Sequence, residues 1–142
     1  MNKLGIQHWY AWAGGFLEGE GCFQLQKMKG HADYVRCMRI SAGQRKIQPL
    51  QKLQQLFGGK IREQQKMGRP MYVWVIDGGA GALSVLPHVM PYLIGKREEA
   101  EALLAFARTY RGPMGPAKLD NDVITHRLSL IERHRMGRLA SV

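Results

Sequence analysis

The sequence predicts an α+β fold in which helix and hairpin alternate twice before further helices follow (αββαββα), with the four strands in one antiparallel sheet. Three observations carry this. Two segments, around 22–42 and 60–76, read as strand pairs about a turn. Each follows a stretch with helical apolar spacing. Each also places Gln and Arg at positions of one parity, so helices cover one face of the sheet and the other stays polar. A chain of 142 residues suits a single domain, 1–142, long enough to bury a real core.

The first helix is expected from about Gln7 to Leu17. Trp9, Tyr10, Trp12, Phe16 and Leu17 can cover a sheet, while Ala11, Gly15 and Gly19 recur every four residues as a smooth stripe if the helix continues. Glycine inside a helix costs about 1 kcal/mol relative to alanine, so Gly14 and Gly15 need a packing reason. Glu18 and Glu20 follow at the helix C-terminus, where the macrodipole makes each carboxylate unfavourable by roughly 0.3–1 kcal/mol. A bound cation is the obvious compensation.

Strand one, Cys22 to Gln26, alternates strictly, with Phe23 and Leu25 on one face. Lys29 to Asp33 reads as a polar turn, and strand two, Tyr34 to Ala42, places Met38, Ile40 and Ala42 on one face. Matching the apolar faces pairs Phe23 with Ile40 and Leu25 with Met38, hence Gln24 with Arg39 and Gln26 with Cys37. The outer face thus bears amide and guanidinium groups, the groups that contact adenine and guanine edges.

Pro49 starts the second helix, whose apolar face is Leu50, Leu53, Leu56 and Phe57, and Gly58-Gly59 ends it. The second hairpin is expected as Lys60 to Gln65, a turn over Lys66 to Pro70, and Met71 to Ile76. Arg62, Gln64 and Lys66 share one parity; the return strand is apolar on both faces, so alternation alone does not orient it. Gly78 to Gly81 reads as a flexible joint before a short helix, Ala82 to Met90, bent or ended by Pro87 and Pro91. A longer helix, Arg97 to Tyr110, turns Leu103, Leu104, Phe106 and Ala107 inward. After a Pro- and Gly-containing loop, Asn121 caps a last helix to about Met136, with Val123, Ile124, Arg127, Leu128 and Ile131 at helical spacing. Its Arg127, Arg133, His134, Arg135 and Arg138 form a basic tail, more often a solvated face than a specific reader.

Charge narrows the function classes. There are 21 Lys and Arg against 11 Asp and Glu, a net charge of +10. Such a domain meets a polyanion, nucleic acid before anionic membrane; the plain alternative is a solubilising surface. Two cysteines without repeated spacing fit reduced thiols inside a cell rather than a disulfide framework. The apolar run Trp9 to Leu17 is too short to span a bilayer, and acids follow where a cleavage site would lie, so the chain reads as soluble, unexported and without a membrane partner.

The stretch Ala13-Gly14-Gly15-Phe16-Leu17-Glu18-Gly19-Glu20-Gly21 resembles the nine-residue signature of the LAGLIDADG homing endonucleases. Gly15, Glu20 and Gly21 match its best-defined positions, while Gly14 and Gly19 stand where it has alanine and Ala13 where it has leucine. Pro91-Tyr92-Leu93-Ile94-Gly95-Lys96 is similar to the family's P-x-L-x-x-K element, and with the helix–hairpin repeat the likeness spans about Gln7 to Tyr110. It implies a sheet that forms half of a DNA-binding saddle, with Val73 and Val75 outward. It implies Glu20, Gln44 and Lys96 as catalytic residues, Glu20 with Gly19 as metal positions, and Mg2+ or Mn2+ as cofactor. Because the signature occurs once, it implies a homodimer joined through Ala11, Gly14, Gly15, Glu18 and Gly19. The residues expected against double-stranded DNA are Gln24, Gln26, Lys29, Arg39, Ser41, Arg45, Lys46, Arg62, Gln64 and Lys66. The resulting expectation is a metal-dependent double-strand endonuclease acting on a long, roughly palindromic site. The alternative is an inactive relative that binds nucleic acid as a splicing maturase or transcriptional regulator; a third option is an unrelated small RNA-binding protein.

Overall fold

A computed structural model describes residues 3–27, 36–109 and 121–140. Helix α1 spans Lys3–Glu20 and passes directly into β1, Gly21–Lys27. The helix therefore runs longer than its apolar pattern, carrying both glutamates in its last turn. Gly21 makes the abrupt junction possible: a Cβ there would lie 2.6 Å from the Leu17 carbonyl oxygen. Strand β2 spans Arg36–Gln44 and pairs antiparallel with β1 in the expected register, Phe23 opposite Ile40, Gln24 opposite Arg39, Leu25 opposite Met38 and Gln26 opposite Cys37. It continues two residues beyond the expected end because Gly43 and Gln44 pair with the second hairpin. The expected turn at Lys29 to Asp33 lies outside the described residues.

Helix α2, Gln48–Phe57, carries Pro49 in its first turn, buries Leu50 and Leu53, and ends at Gly58 and Gly59, both with positive φ. The Trp74 indole nitrogen donates to the Gly58 carbonyl at 2.8 Å, and a Cβ on Gly59 would fall 2.8 Å from that nitrogen. This close approach fastens the end of α2 to the sheet. Strands β3, Lys60–Lys66, and β4, Arg69–Asp77, enclose a turn tighter than expected. Met67 and Gly68 both adopt positive φ, as a two-residue hairpin turn with the right twist requires. Pro70 consequently lies within β4, where it disturbs little: β4 pairs with β2 only from Tyr72 onward.

The sheet order is β1-β2-β4-β3. Its inner face carries Phe23, Leu25, Met38, Ile40, Ala42 and a fully buried Trp74, with Ile61, Tyr72 and Ile76 packed against them. The register puts Val75 opposite Ser41 and Val73 opposite Gly43, on the outer face as the resemblance implied. Helix α3, Gly78–Val89, replaces the expected flexible joint and runs on through Pro87 before a single 3₁₀ turn, Met90–Tyr92. Packing explains the error: a Cβ at Gly81 would come 2.8 Å from Ile76, so small residues here let the helix lie close on the sheet instead of loosening it. Helix α4, Arg97–Ala107, buries Leu103, Leu104, Phe106 and Ala107 as expected but ends short of Tyr110, which lies outside the described residues.

Helix α5, Asn121–Ala140, extends past the expected Met136 and packs on α4 and β1. The side chains of Val123 and Ile124 are outside the description, and Leu128 is turned toward solvent. The basic tail is largely engaged within the chain. Arg127 is buried with Nε on the Thr109 hydroxyl at 2.7 Å, Arg133 pairs with Glu98 and Glu101, and Arg135 pairs with Glu132. His134 is also buried, its Nε2 2.6 Å from the Phe23 carbonyl oxygen, which only accepts, so Nε2 carries the proton. Burial first, and Arg138 with it, holds this imidazole below its ordinary value, against the opposing pull of Phe23 and Glu99.

Gly14 has a packing reason within its own chain: it is buried, and a Cβ would meet Tyr92 Cβ at 2.6 Å and the Val89 carbonyl oxygen at 3.2 Å. Gly14→Ala is expected to destabilise the fold by about 1–3 kcal/mol in urea denaturation, whereas Gly15→Ala, with nothing within 4 Å, introduces no such clash.

Candidate nucleic-acid-cleaving site

The C-terminal end of α1 is the point where distant segments meet. Glu18 does not face solvent alone. Its carboxylate accepts from the backbone N–H groups of Ile94 at 2.9 Å, Gly95 at 2.6 Å and Lys96 at 3.5 Å, immediately before α4. An anion at a helix N-terminus is favourable, so the carboxylate disfavoured by its own helix is stabilised by the next. Lys96 returns the interaction: its Nζ donates to the Gly21 carbonyl at 2.5 Å and the Leu17 carbonyl at 3.4 Å. A cation thus lies against the orphan carbonyls of α1, where the macrodipole favours it. The Lys96 ammonium thus serves a different helix from its backbone.

Partial burial pushes the Glu18 carboxyl upward, but the three backbone N–H groups and the Lys96 charge outweigh it and hold the group below its ordinary value of 4.5. Glu20 is the last residue of α1 and is exposed, as is Gly19; the Glu20 carboxylate makes no hydrogen bond among the described residues. Glu20 and Lys96 therefore converge on the α1–β1 junction. A cleft beside it is lined by Gly21, Cys22, Lys96, Glu99, Arg135 and Arg138. Gln44 closes β2, two residues beyond Ala42, the partner of Gly21. Its parity is that of Ala42, which sets it at the strand end on the helix side rather than among the outward readers.

The outer face assembles residues from all four strands in transverse rows. Gln24 stands opposite Arg39, and Arg39 opposite Asp77; Cys22, Ser41, Val75 and Lys60 form the next row; Val73 and Arg62 the next, with Gln64 beyond. Arg62, Gln64 and Lys66 are exposed, and Lys46 is exposed at the end of β2. Gln26 has the outward parity but its side chain is not described, and Lys29 lies outside the described residues. Arg45 behaves differently from a simple phosphate contact. Its guanidinium donates to the carbonyls of Lys66 at 3.3 Å and Pro70 at 3.2 Å, bracing the tip of the second hairpin. Lys60 and Asp77 were missed. The parity of Lys60 with Arg62 was a usable signal; Asp77 was lost by ending the strand at Ile76.

On the opposite side, α1 presents Gly15 and Gly19 with no atom within 4 Å of an added Cβ, beside a half-exposed Ala11. Gly14 and Glu18 are engaged by their own chain, so the open part of the stripe is Ala11, Gly15 and Gly19.

A family model described as LAGLIDADG endonuclease matches residues 13–100, from the α1 glycines to the start of α4. The chain belongs to the LAGLIDADG endonuclease family. Among solved structures, it is similar to the homing endonuclease I-CvuI in complex with its target, at 22% identity and a TM-score of 0.73, covering 95% of this chain and 85% of that one. It is similar to the homing endonuclease I-TnaI at 19% identity and a TM-score of 0.65, covering 94% and 97%. It also resembles the archaeal intron-encoded homing endonuclease I-Vdi141I, complexed with DNA, at 16% identity and a TM-score of 0.56, covering 89% and 96%. No curated protein matches the chain. Among the described residues no helix is long and apolar enough to cross a membrane.

Because the folded-state carboxyl of Glu18 titrates below its ordinary value, its contribution to stability is present above that value and is lost as pH falls through the lower one. Glu18→Gln is therefore expected to lower stability near neutrality and to narrow the difference between urea midpoints at about pH 6 and about pH 3.5. An undiminished difference would mean that other carboxylates govern the acid limb.

Proposed function

We propose that the protein is a site-specific double-strand DNA endonuclease that acts as a homodimer on a roughly palindromic target and depends on Mg2+ or Mn2+. The observation that carries this reading is the convergence of an exposed Glu20 and a backbone-held Lys96 at the α1–β1 junction, beside a sheet whose outer face bears Gln24, Arg39, Ser41, Arg62 and Gln64. A two-stranded ribbon of this chemistry suits the major groove of B-DNA.

The donor set fits a hard divalent cation. Glu20 offers a carboxylate and Gly19 a backbone carbonyl at the end of α1, oxygen donors of the kind Mg2+ and Mn2+ take. The described residues of one protomer hold no group of three or more candidate His, Cys, Asp or Glu ligands. A second protomer and the DNA phosphates would have to supply the remaining ligands. Apposing the open stripes of Ala11, Gly15 and Gly19 from two copies brings two Glu20 carboxylates near one axis and supports that arrangement. A bound divalent cation neutralises charge on the phosphoryl group and activates water. Within the chain, Glu20 holds the cation, Lys96 adds positive charge beside the phosphate, and Gln44 orients the attacking water from the end of β2.

Glu20→Gln is expected to reduce Mg2+-dependent cleavage of a selected target by at least about a hundredfold. DNA binding measured in Ca2+ should survive that substitution. Cleavage that persists in Glu20→Gln removes the metal role. Tight binding to structured intron RNA with none to duplex DNA favours the maturase reading instead.

A further inference from the structure

The outer face of the sheet carries an apolar island of its own. Strand β4 lies between β2 and β3, so its outward side chains occupy the middle of that face. They are Met71, Val73 and Val75, opposite Gln64, Arg62 and Lys60 on β3. On the other side, β2 sets Gly43 against Val73 and Ser41 against Val75. None of the three apolar residues is part of the core cluster. Val75 is nevertheless only 5% exposed, so side chains of the outer face close over it. Met71 and Val73 are half-buried and keep an open side. Gly43 joins them: it has no side chain, and a Cβ there would stand 2.5 Å from the Met71 methyl carbon. The end of the Met71 side chain therefore lies across the bare backbone of β2, beside Val73, and widens the patch.

Apolar atoms gain nothing from a phosphate, so an island among Arg62, Gln64 and Lys60 calls for a different ligand. In the major groove one group answers to apolar atoms, the C5-methyl of thymine. The flanking guanidinium, amide and ammonium draw a duplex to the same place. On the reading of the protein as a DNA endonuclease, on which this rests, we propose that Val73 and the Met71 methyl are specificity-determining residues that recognise a thymine methyl in each half-site. Contact with the patch takes that methyl out of water, and cytosine, with hydrogen at C5, forgoes the gain. Thymine is thus chosen over cytosine at this position without a hydrogen bond. Gly43 is a positioning residue, because only a missing side chain leaves the Met71 methyl its seat over β2.

A site for wild type is first selected from randomised duplex DNA in Ca2+. Each thymine of that site is then replaced in turn by deoxyuridine, which lacks only the C5-methyl. One such replacement in each half-site should weaken wild-type binding roughly fourfold, the equivalent of one buried methyl group. In Val73→Ala the loss at that position should shrink to less than about twofold, while losses elsewhere persist. Gly43→Ala displaces only the flexible end of Met71, so the fold survives, and it should shrink the loss at the same position. Each comparison is between two duplexes on one protein, so a general fall in affinity does not enter it. Wild type indifferent to deoxyuridine at every position overturns the proposal. So does an undiminished loss in either variant. Wild type selecting no duplex at all overturns the DNA reading itself, and this inference with it.

Discussion

The reciprocal interaction between the end of α1 and the start of α4 is the constraint on which the rest of the structure depends. A carboxylate at the C-terminus of one helix and an ammonium at the N-terminus of another are each misplaced with respect to their own dipoles. Here each is exchanged: Glu18 receives the N–H groups before α4, and Lys96 receives the carbonyls at the end of α1. Both helix ends are satisfied across some 75 residues of sequence separation. The exchange fixes where α1 stops, and the Gly21 junction then sets the register of β1 and so of the whole sheet. It also accounts for glycine at position 95, where a Cβ would stand 2.8 Å from the Glu18 carboxylate.

The division of labour between the two acids follows from this geometry. Glu18 is held by three backbone donors and has little capacity left for a ligand. Glu20, two residues on, projects from the other side of the helix end and stays exposed. Charge is thus concentrated where a cation can reach it, while the supporting carboxylate does not compete. The surrounding cations are divided in the same way. Arg133 and Arg135 are paired with glutamates, so the net charge of +10 overstates how much of α5 is available to a polyanion.

Much of the architecture was legible in the residues because strict alternation determines register. Phe23 and Leu25 admit one pairing with Met38 and Ile40, and the structure adopts it. Local propensity misled where packing overrode it. Gly78 to Gly81 promised a loose joint, yet Ile76 demands small residues above it and a helix forms. The Met67-Gly68 turn was overestimated because Pro70 reads as a strand breaker, although no second strand flanks it there. For the candidate site, the resemblance picked out Glu20, Gln44 and Lys96 by type and order, but the contacts that surround them were not readable. The reach of Lys96 to the Leu17 and Gly21 carbonyls, the Arg45 brace and the Arg39–Asp77 pair all join residues far apart in the chain. No one-dimensional pattern encodes such contacts.

One consequence concerns what the sheet does when it meets a copy of itself. An open sheet has two rims of unpaired backbone groups, and each invites a foreign strand. At the β1 rim, α5 lies alongside and His134 occupies the Phe23 carbonyl, so that side is blocked. At the other rim, β3 bears Lys60, Arg62 and Lys66, whose like charges repel an identical strand laid beside them. The protein is thereby guarded against rim-to-rim polymerisation. On the proposed homodimer reading, contact through the small-residue face of α1 would be isologous and closed, and so would not propagate into a fibre.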